Sequence, residues 1–378
     1  MIIGSDRKFR FGAWFGLDPL APVLNVALPI GISFTAFESL SYTIDLYRGK
    51  VKPAPDFLAL ACFVSVFPRM IAGPIIRYAP FAPQIERDPR TRDHADDALN
   101  GIYFFVVGLA KKVLVADLIA GSINPLLLGD NYLKLGLLGS WSVMLGYTFQ
   151  LFFDFSGYSD MAVGLGKMLG LDLPQNFNSP YKAESIIDFW RRWHITLSAW
   201  LRDYLYIPLG GSRGSEFATM RNVMLTMVLG GLWHGANWTY VVWGAYHGVW
   251  LVLNQQSKKL NLGATRFAFL THPILTRAAT FILVIFGWTI FRSDNLSMAW
   301  YLMQSMVGLH GVDWAVLNTL SYGFWALLAF CFVVTQFAPN TWQFRITPRL
   351  RYAFALGILA VVCVLLLGQP SPFLYFQF

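Results

Sequence analysis

Long apolar segments separated by short polar stretches dominate the chain. They fall at roughly 22–44, 57–76, 99–119, 134–153, 156–171, 219–254, 278–292, 321–338 and 352–368. Because about 20 apolar residues cross a bilayer as a helix, the pattern predicts an all-α, polytopic integral membrane protein. No internal repeat and no polar linker divides the sequence. We therefore expect one membrane-embedded domain over residues 1–378.

Two segments depart from a simple span. Residues 222–254 contain no Asp, Glu, Lys or Arg, and Gly235 and Asn237 stand near their middle. This run is too long for one span, so we expect two helices that meet at a turn within or near the membrane. Residues 172–218 are first polar and then aromatic and basic. For these we expect an amphipathic or re-entrant helix over 183–204.

Composition narrows the class of protein. Hydrophobic residues make up 56% of the chain and charged residues only 13%, about half the charged share of a soluble domain. A soluble enzyme, a secreted disulfide scaffold and a disordered chain are therefore excluded. The three cysteines lie far apart in apolar runs and form no metal-binding spacing.

The net charge of +8 indicates how the chain is oriented in the membrane and does not indicate nucleic-acid binding. Loops 255–277 and 339–351 carry basic residues and no acid, whereas loop 293–320 carries two acids and no basic residue. Basic loops stay on the cytoplasmic side, so the alternation predicts an external C-terminus. It also predicts that His234 lies towards the outer half of the membrane and that region 191–221 lies towards the inner half.

Two histidines stand in the most apolar part of the chain. His234 follows Gly230-Gly231-Leu232-Trp233, and an ionisable group at membrane depth is a functional candidate by default. The alternative is a structural histidine bonded to neighbouring carbonyls. His247 lies 13 residues later, about 220° away on one straight helix. The two can share a site only if the chain bends between them, and a structural role for His247 is slightly favoured.

Four polar residues are spaced as one helical face. Arg191, His194, Ser198 and Arg202 follow at intervals of three, four and four residues. Such a stripe predicts a surface that holds an anionic or polar acyl donor on the inner side. The alternative is an interfacial helix whose basic residues meet lipid headgroups.

Asp154 and Asp160 lie between two apolar runs. Each is suited to orient a base or to pair with an arginine, and structural pairing is favoured. The sequence contains no phosphate-binding loop, no nucleophile elbow and no metal-binding motif, so we expect no metal and no bound cofactor.

Five stretches together resemble the membrane-bound O-acyltransferases, and within them the bacterial alginate O-acetylase branch. The stretches are residues 29–34 with 40–45, residues 72–78, residues 152–166, residues 189–211 (with Phe189-Trp190-Arg191-Arg192-Trp193-His194) and residues 230–248 (with Trp233-His234-Gly235). The ending Phe373-Leu374-Tyr375-Phe376-Gln377-Phe378 is also similar to that branch. Relatives usually carry further spans before the first block, and we expect these to be missing here.

The resemblance implies acyl transfer to a hydroxyl, with the family's invariant histidine at His234 and its second conserved polar position at His194. It implies a ring of tilted helices around a tunnel, with that histidine between a cytoplasmic donor and an external acceptor. Trp193, Trp233, Asn237 and His247 are expected to support the site. Acetyl-CoA is the expected donor, and an exopolysaccharide such as alginate the expected final acceptor.

The same resemblance implies a multi-pass protein of the bacterial inner membrane that works with a periplasmic acetyltransferase-like partner. Two alternatives stay open at this point. One is D-alanyl transfer towards teichoic acid from a carrier-protein thioester, and the other is a non-enzymatic transporter or flippase with histidines as proton relays.

Overall fold

The computed structural model describes residues 31–70, 72–257, 272–344 and 346–367. Within these ranges all regular structure is helical and no β-strand occurs, which confirms the all-α class. The terminal motif 373–378, the C-terminus, Arg345 and most of the basic loop 255–277 lie outside the described residues.

The α-helices of the described chain differ widely in length. In chain order they are α1 (Ile32–Tyr47), α2 (Phe57–Val64), α3 (Tyr78–Glu86), α4 (His94–Ala110), α5 (Asp117–Leu127), α6 (Leu137–Met168), α7 (Ile186–Arg192), α8 (Ile195–Leu201), α9 (Glu216–His234), α10 (Trp238–Ser257), α11 (Pro273–Arg292), α12 (Leu296–Met306), α13 (Val316–Thr319), α14 (Tyr322–Phe337) and α15 (Leu350–Leu366). Two π-helical segments, Lys111–Ala116 and Arg202–Tyr206, continue α4 and α8.

The central helix is α6, which runs for 32 residues with most of its side chains buried. The sequence predicted two apolar runs, 134–153 and 156–171, divided at the aspartates, and this division is wrong. Asp154 and Asp160 lie inside one continuous helix because lysines of the π-helical segment neutralise them. Lys112 is 2.8 Å from Asp154, and Lys111 is 2.5 Å from Asp160.

Helix α4 packs closely along α6 because both present glycines at the contact. A Cβ atom added to Gly108 would lie 2.5 Å from the carbonyl oxygen of Gly157, and one added to Gly157 would lie 2.7 Å from that of Gly108. Gly101 and Gly164 make the same reciprocal contact two helical turns away along the pair. Small residues let helix backbones approach within a membrane protein, so these glycines set the spacing of the central pair.

Helices α9 and α10 form an antiparallel hairpin, which confirms the predicted turn at Gly235 and Asn237. Gly244 of α10 lies directly against the backbone of Met227 of α9. The hairpin packs on α11 and α7 through α10.

The predicted helix over 183–204 is two helices. It breaks after α7, and α8 starts at Ile195 with a different direction, because His194 adopts left-handed backbone angles (φ 43°, ψ 55°). Such a conformation costs a non-glycine residue roughly 1–3 kcal/mol and persists where the surroundings over-determine it.

By length and composition, one helix of the described chain is long and apolar enough to cross a membrane, namely α11. Three other apolar helical stretches are shorter, and they are Phe57–Arg69, Tyr322–Phe337 and Leu350–Leu366. The number of spans therefore remains a prediction.

Candidate active site

His234 is the last residue of α9 and stands at the turn of the hairpin. Its half-buried imidazole packs edge to face against Trp233, Trp243 and Phe291, with ring centroids 4.9, 5.3 and 5.1 Å away. These contacts hold the ring while leaving part of it accessible. A histidine so placed is suited to exchange a proton with a bound molecule.

Contacts of Gly235 and Asn237 hold the turn after His234 in place. Gly235 leaves room for the ring of Tyr240, since an added Cβ would lie 2.7 Å from that ring. The side chain of Asn237 accepts a hydrogen bond from the backbone N–H of Thr239 at 3.2 Å and donates to the carbonyl of Asp294 at 2.9 Å. Asn237 thus ties the hairpin to the loop that follows α11, and its role is to hold the turn.

His194 forms the corner between α7 and α8 and is 1% exposed. Its Nδ1 lies 3.2 Å from Oδ1 of Asn176, and its ring packs edge to face on Phe155 with centroids 4.8 Å apart. The backbone N–H of Ile195 donates to the carbonyl of Asn176 at 2.9 Å. The segment around Asn176 therefore fixes the corner through both backbone and side chain.

The structure brings the two predicted histidines to one site. The ring of Phe34 from α1 stacks on His194, with centroids 6.5 Å apart, and meets the edge of Trp233 at 5.9 Å. Trp233 in turn packs edge to face against the neighbouring His234, with centroids 4.9 Å apart. The resulting cluster, made of Phe34, His194, Trp233 and His234, joins three separate parts of the sequence and is called the histidine cluster below.

The two histidines reach this cluster from opposite ends of the hairpin. The backbone N–H of Ile187, at the start of α7, donates to the side chain of Asn254 near the end of α10 at 3.3 Å. Further along α7, Trp190 meets His247 in the middle of α10. The chain thus runs from the open end of the hairpin towards its turn, and the placement of region 191–221 and His234 in opposite halves of the membrane stays a prediction.

His247 lies next to the cluster but outside it. It is fully buried, and its Nδ1 accepts a hydrogen bond from the indole N–H of Trp190 at 3.3 Å. The ring of Trp243 contacts both His247 and His234, with centroids 5.1 and 5.3 Å away. His247 therefore packs behind Trp243 and supports its position next to His234. A structural role was favoured for His247.

The predicted polar stripe is wrong. Because the helix breaks at His194, Arg191 lies on α7, Ser198 on α8 and Arg202 in the π-helical segment after it, so the four residues do not line one continuous helix. Arg191 is exposed on α7, and Arg202 is exposed beside Asp203, its ion-pair partner at 2.6 Å.

The remaining members of the predicted set have structural contacts. The Ser198 hydroxyl donates to the carbonyl of Trp193 at 3.4 Å. Trp193 is buried against Trp288 of α11, with centroids 4.8 Å apart. Asp154 pairs with Lys112 at 2.8 Å, and structural pairing is the role that was favoured for it.

Sequence reasoning missed Asn176 and Phe34. Asn176 stands in the polar stretch Pro174-Gln175-Asn176-Phe177-Asn178. The only signal there was a polar residue shortly before a buried segment. Phe34 ends residues 29–34, the first stretch that carries the resemblance, but it is one apolar residue among many there and nothing indicated a place beside His194.

The arrangement offers proton exchange and hydrogen bonding. Among residues 31–70, 72–257, 272–344 and 346–367, no group of three or more His, Cys, Asp and Glu side chains forms a metal site. Two histidines in an aromatic enclosure are suited to activate a hydroxyl and to bind a polar substrate group.

The chain belongs to the membrane-bound O-acyltransferase family, whose sequence model matches residues 48–300. This match includes His194 and His234. The chain is therefore an all-helical member of a membrane protein family.

Among curated proteins, the chain is 46% identical over 306 residues to a probable alginate O-acetylase of Pseudomonas aeruginosa, a match that covers 80% of this chain and 56% of the relative. It is 39% identical to a peptidoglycan O-acetyltransferase of Helicobacter pylori (77% of this chain, 59% of the relative). It is 30% identical to a teichoic acid D-alanyltransferase of Bacillus subtilis (72% and 71%). The chain thus spans little more than half the length of the alginate relative.

Proposed function

We propose that this protein is an O-acetyltransferase of the bacterial inner membrane that serves the O-acetylation of an exopolysaccharide such as alginate. Family membership and 46% identity to a probable alginate O-acetylase support this function. The observation that carries it is the histidine cluster, in which an accessible His234 is held by aromatic rings next to a buried His194.

The proposed reaction uses acetyl-CoA as donor, with no bound cofactor. The neutral imidazole of His234 accepts the proton of an acceptor hydroxyl as the oxygen attacks the thioester carbonyl. The tetrahedral intermediate then expels the coenzyme A thiolate, which takes the proton from His234. A general base contributes about 10²–10⁴-fold to such a rate, and positioning and exclusion of water supply the remainder.

The proposed placement in the membrane follows the loop charges. Basic loops lie in the cytoplasm, the His234 turn lies in the outer half of a multi-pass helical domain, and the C-terminus is periplasmic. Helices in a ring around a tunnel would then let a cytoplasmic donor and an external acceptor meet at the histidine cluster. Asn237 in the turn donates a hydrogen bond to the carbonyl of Asp294, which lies in the acidic loop 293–320, and this contact supports the placement.

The donor side is assigned to exposed basic residues near α7 and α8. Arg191 is exposed on α7 and suits an anionic donor such as the phosphates of acetyl-CoA. Arg202 is less well suited because Asp203 already neutralises it. On the outer side, the proposed partner is a periplasmic acetyltransferase-like protein that passes the acetyl group to the polysaccharide.

A second function, D-alanyl transfer towards teichoic acid, is favoured by the 30% identity to the Bacillus subtilis relative. It requires the same two histidines but a carrier-protein thioester as donor. No feature of the described residues favours the transporter alternative over these two.

The test compares a deletion strain with a strain complemented by the intact gene. Our proposal predicts that exopolysaccharide O-acetyl content falls to background on deletion and returns on complementation. Teichoic-acid D-alanine is measured in parallel where the host makes that polymer. Unchanged O-acetyl content would contradict the proposal, and loss of D-alanine esters alone would select the second function.

A further inference from the structure

The side-chain oxygen of Asn176 has three hydrogen-bond partners. It lies 3.2 Å from Nδ1 of His194, 3.2 Å from the backbone nitrogen of Thr196 and 2.9 Å from the Thr196 hydroxyl. Asn176 is itself 2% exposed. A buried side chain with this many partners has one defined orientation.

The orientation of the amide follows from its partners. The backbone N–H of Thr196 can only donate, so the atom facing it must be the carbonyl oxygen of the side chain. The Thr196 hydroxyl accepts from the backbone N–H of Ile75 at 3.0 Å, which leaves its own proton for Asn176. The amide nitrogen points to Ser159 Oγ, 3.3 Å away.

This orientation decides the tautomer of His194. Since Asn176 Oδ1 can only accept, Nδ1 of His194 must carry the proton in the hydrogen bond between them. In the neutral ring, Nε2 then carries the lone pair. Nε2 is buried, and no described residue makes a hydrogen bond to it.

We propose that Asn176 is a positioning residue that presents the Nε2 lone pair of His194 to a hydrogen-bond donor group of the bound substrate. The donor group is either a hydroxyl of the acceptor or an amide N–H of the acyl donor's pantetheine arm. This inference rests on the proposed acyl transfer. In this tautomer Nε2 accepts a hydrogen bond and cannot donate one to the thioester carbonyl oxygen.

The energetic argument is that a buried polar atom without a partner is costly. His194 also adopts left-handed backbone angles, and strained residues of this kind cluster at functional sites. Both features are explained if the missing partner arrives with the substrate. The groups that face His194 are the rings of Phe34, Phe155 and Phe177, and His234 is the titratable group that interacts with it.

The kinetic test uses the full-length protein in lipid nanodiscs, labelled acetyl-CoA and an oligosaccharide acceptor. Asn176→Ala is expected to lower kcat/KM about 10–100-fold, because a displaced substrate-positioning group can cost up to about 100-fold. Asn176→Asp keeps an accepting oxygen and is expected to stay within about 5-fold of wild type. A rise in KM for the acceptor identifies the hydroxyl, and a rise in KM for acetyl-CoA identifies the pantetheine amide. The exposed Asn131→Ala is the matched control.

A double mutant separates positioning from general structural support. In a His194→Ala background, Asn176→Ala is expected to cost less than 3-fold more, because residues that act as a unit are not additive. Equal losses in both backgrounds, or an Asn176→Asp variant as impaired as the alanine variant, would overturn the proposal.

A measurement without turnover keeps this claim distinct from the proposed activity. Nitrogen-15 NMR of labelled histidine is expected to show a protonated Nδ1 at His194 in wild type and its loss in Asn176→Ala. If the wild-type protein transfers no acetyl group while the tautomer depends on Asn176, the proposed function fails and the positioning role stands. A protonated Nε2 at neutral His194 in wild type would refute the positioning role.

Discussion

Gly231 of α9 lies directly against the carbonyl oxygen of Tyr240 on α10, so that no side chain fits between the two helices at this point. The contact lies one turn before His234, and Tyr240 also packs against the His234 ring with centroids 6.3 Å apart. The backbone approach of the hairpin thus determines where the candidate general base stands.

We expect Gly231→Ala to separate α9 from α10 and displace His234. Overpacking costs typically 1–3 kcal/mol, so the melting temperature is expected to fall by several degrees and acetyl transfer by at least 10-fold. Gly121→Ala is the control, since nothing lies within 4 Å of its added Cβ. Thermal unfolding in detergent measures the difference, and equal melting temperatures for the two variants would contradict the packing argument.

The ion pair between Glu38 on α1 and Arg69 after α2 is almost fully buried. Glu38 also accepts from the backbone N–H of Ile76 at 3.4 Å. Removing one partner of a buried pair typically costs 3–5 kcal/mol, because the other charge is left uncompensated. Arg69→Met is therefore expected to lower the melting temperature strongly.

The exposed pair of Arg90 and Asp88 supplies the control for this prediction. Arg90→Ala is expected to leave the melting temperature unchanged within error. If Arg69→Met were as stable as Arg90→Ala, the buried pair would have no role in holding the segment that carries Ile75 and Ile76.

Arg191 is exposed on α7 and lies outside the histidine cluster. Its replacement is therefore expected to affect donor binding alone. Arg191→Ala should raise KM for acetyl-CoA about 2–5-fold and leave kcat within 2-fold, since an exposed charge contributes up to about 1 kcal/mol. The effect is expected to shrink at high salt. A lower kcat at unchanged KM would instead place Arg191 in the chemical step.

His247 is expected to support the fold rather than the proton transfer. His247→Ala removes a buried ring that accepts the Trp190 N–H, so we expect a lower melting temperature and less than a 10-fold change in kcat for the folded fraction. Trp190→Phe removes the hydrogen bond but keeps a ring, and a smaller effect on melting is expected. A loss of kcat as large as that of a His234 variant would contradict this assignment.

The sequence predicted the features that depend on local signals. Glycine and asparagine at 235 and 237 interrupt an uncharged run, and the hairpin turns there. The break at His194 was missed because residues 186–201 contain no glycine or proline and are spaced like one helix. What breaks them is a set of bonds from Asn176, 18 residues earlier in the chain, which no periodicity can reveal.

The continuity of α6 was missed for a related reason. Asp154 and Asp160 interrupt the apolar pattern, but the lysines that neutralise them come from the π-helical segment after α4. Tertiary pairing thus overrode the local signal. In the candidate site, His234 was predictable from its apolar surroundings and His194 from the family resemblance. Asn176 and Phe34 became recognisable only once the fold brought them to His194.

The most direct test of the central claim is the exopolysaccharide O-acetyl content of a deletion strain complemented with His234→Ala. The control is His94→Ala, which changes an exposed histidine at the start of α4. With both variants present in the membrane at wild-type levels, we predict at least a 10²-fold lower initial rate of O-acetylation for His234→Ala and wild-type acetylation for His94→Ala. Wild-type acetylation by His234→Ala would contradict the account.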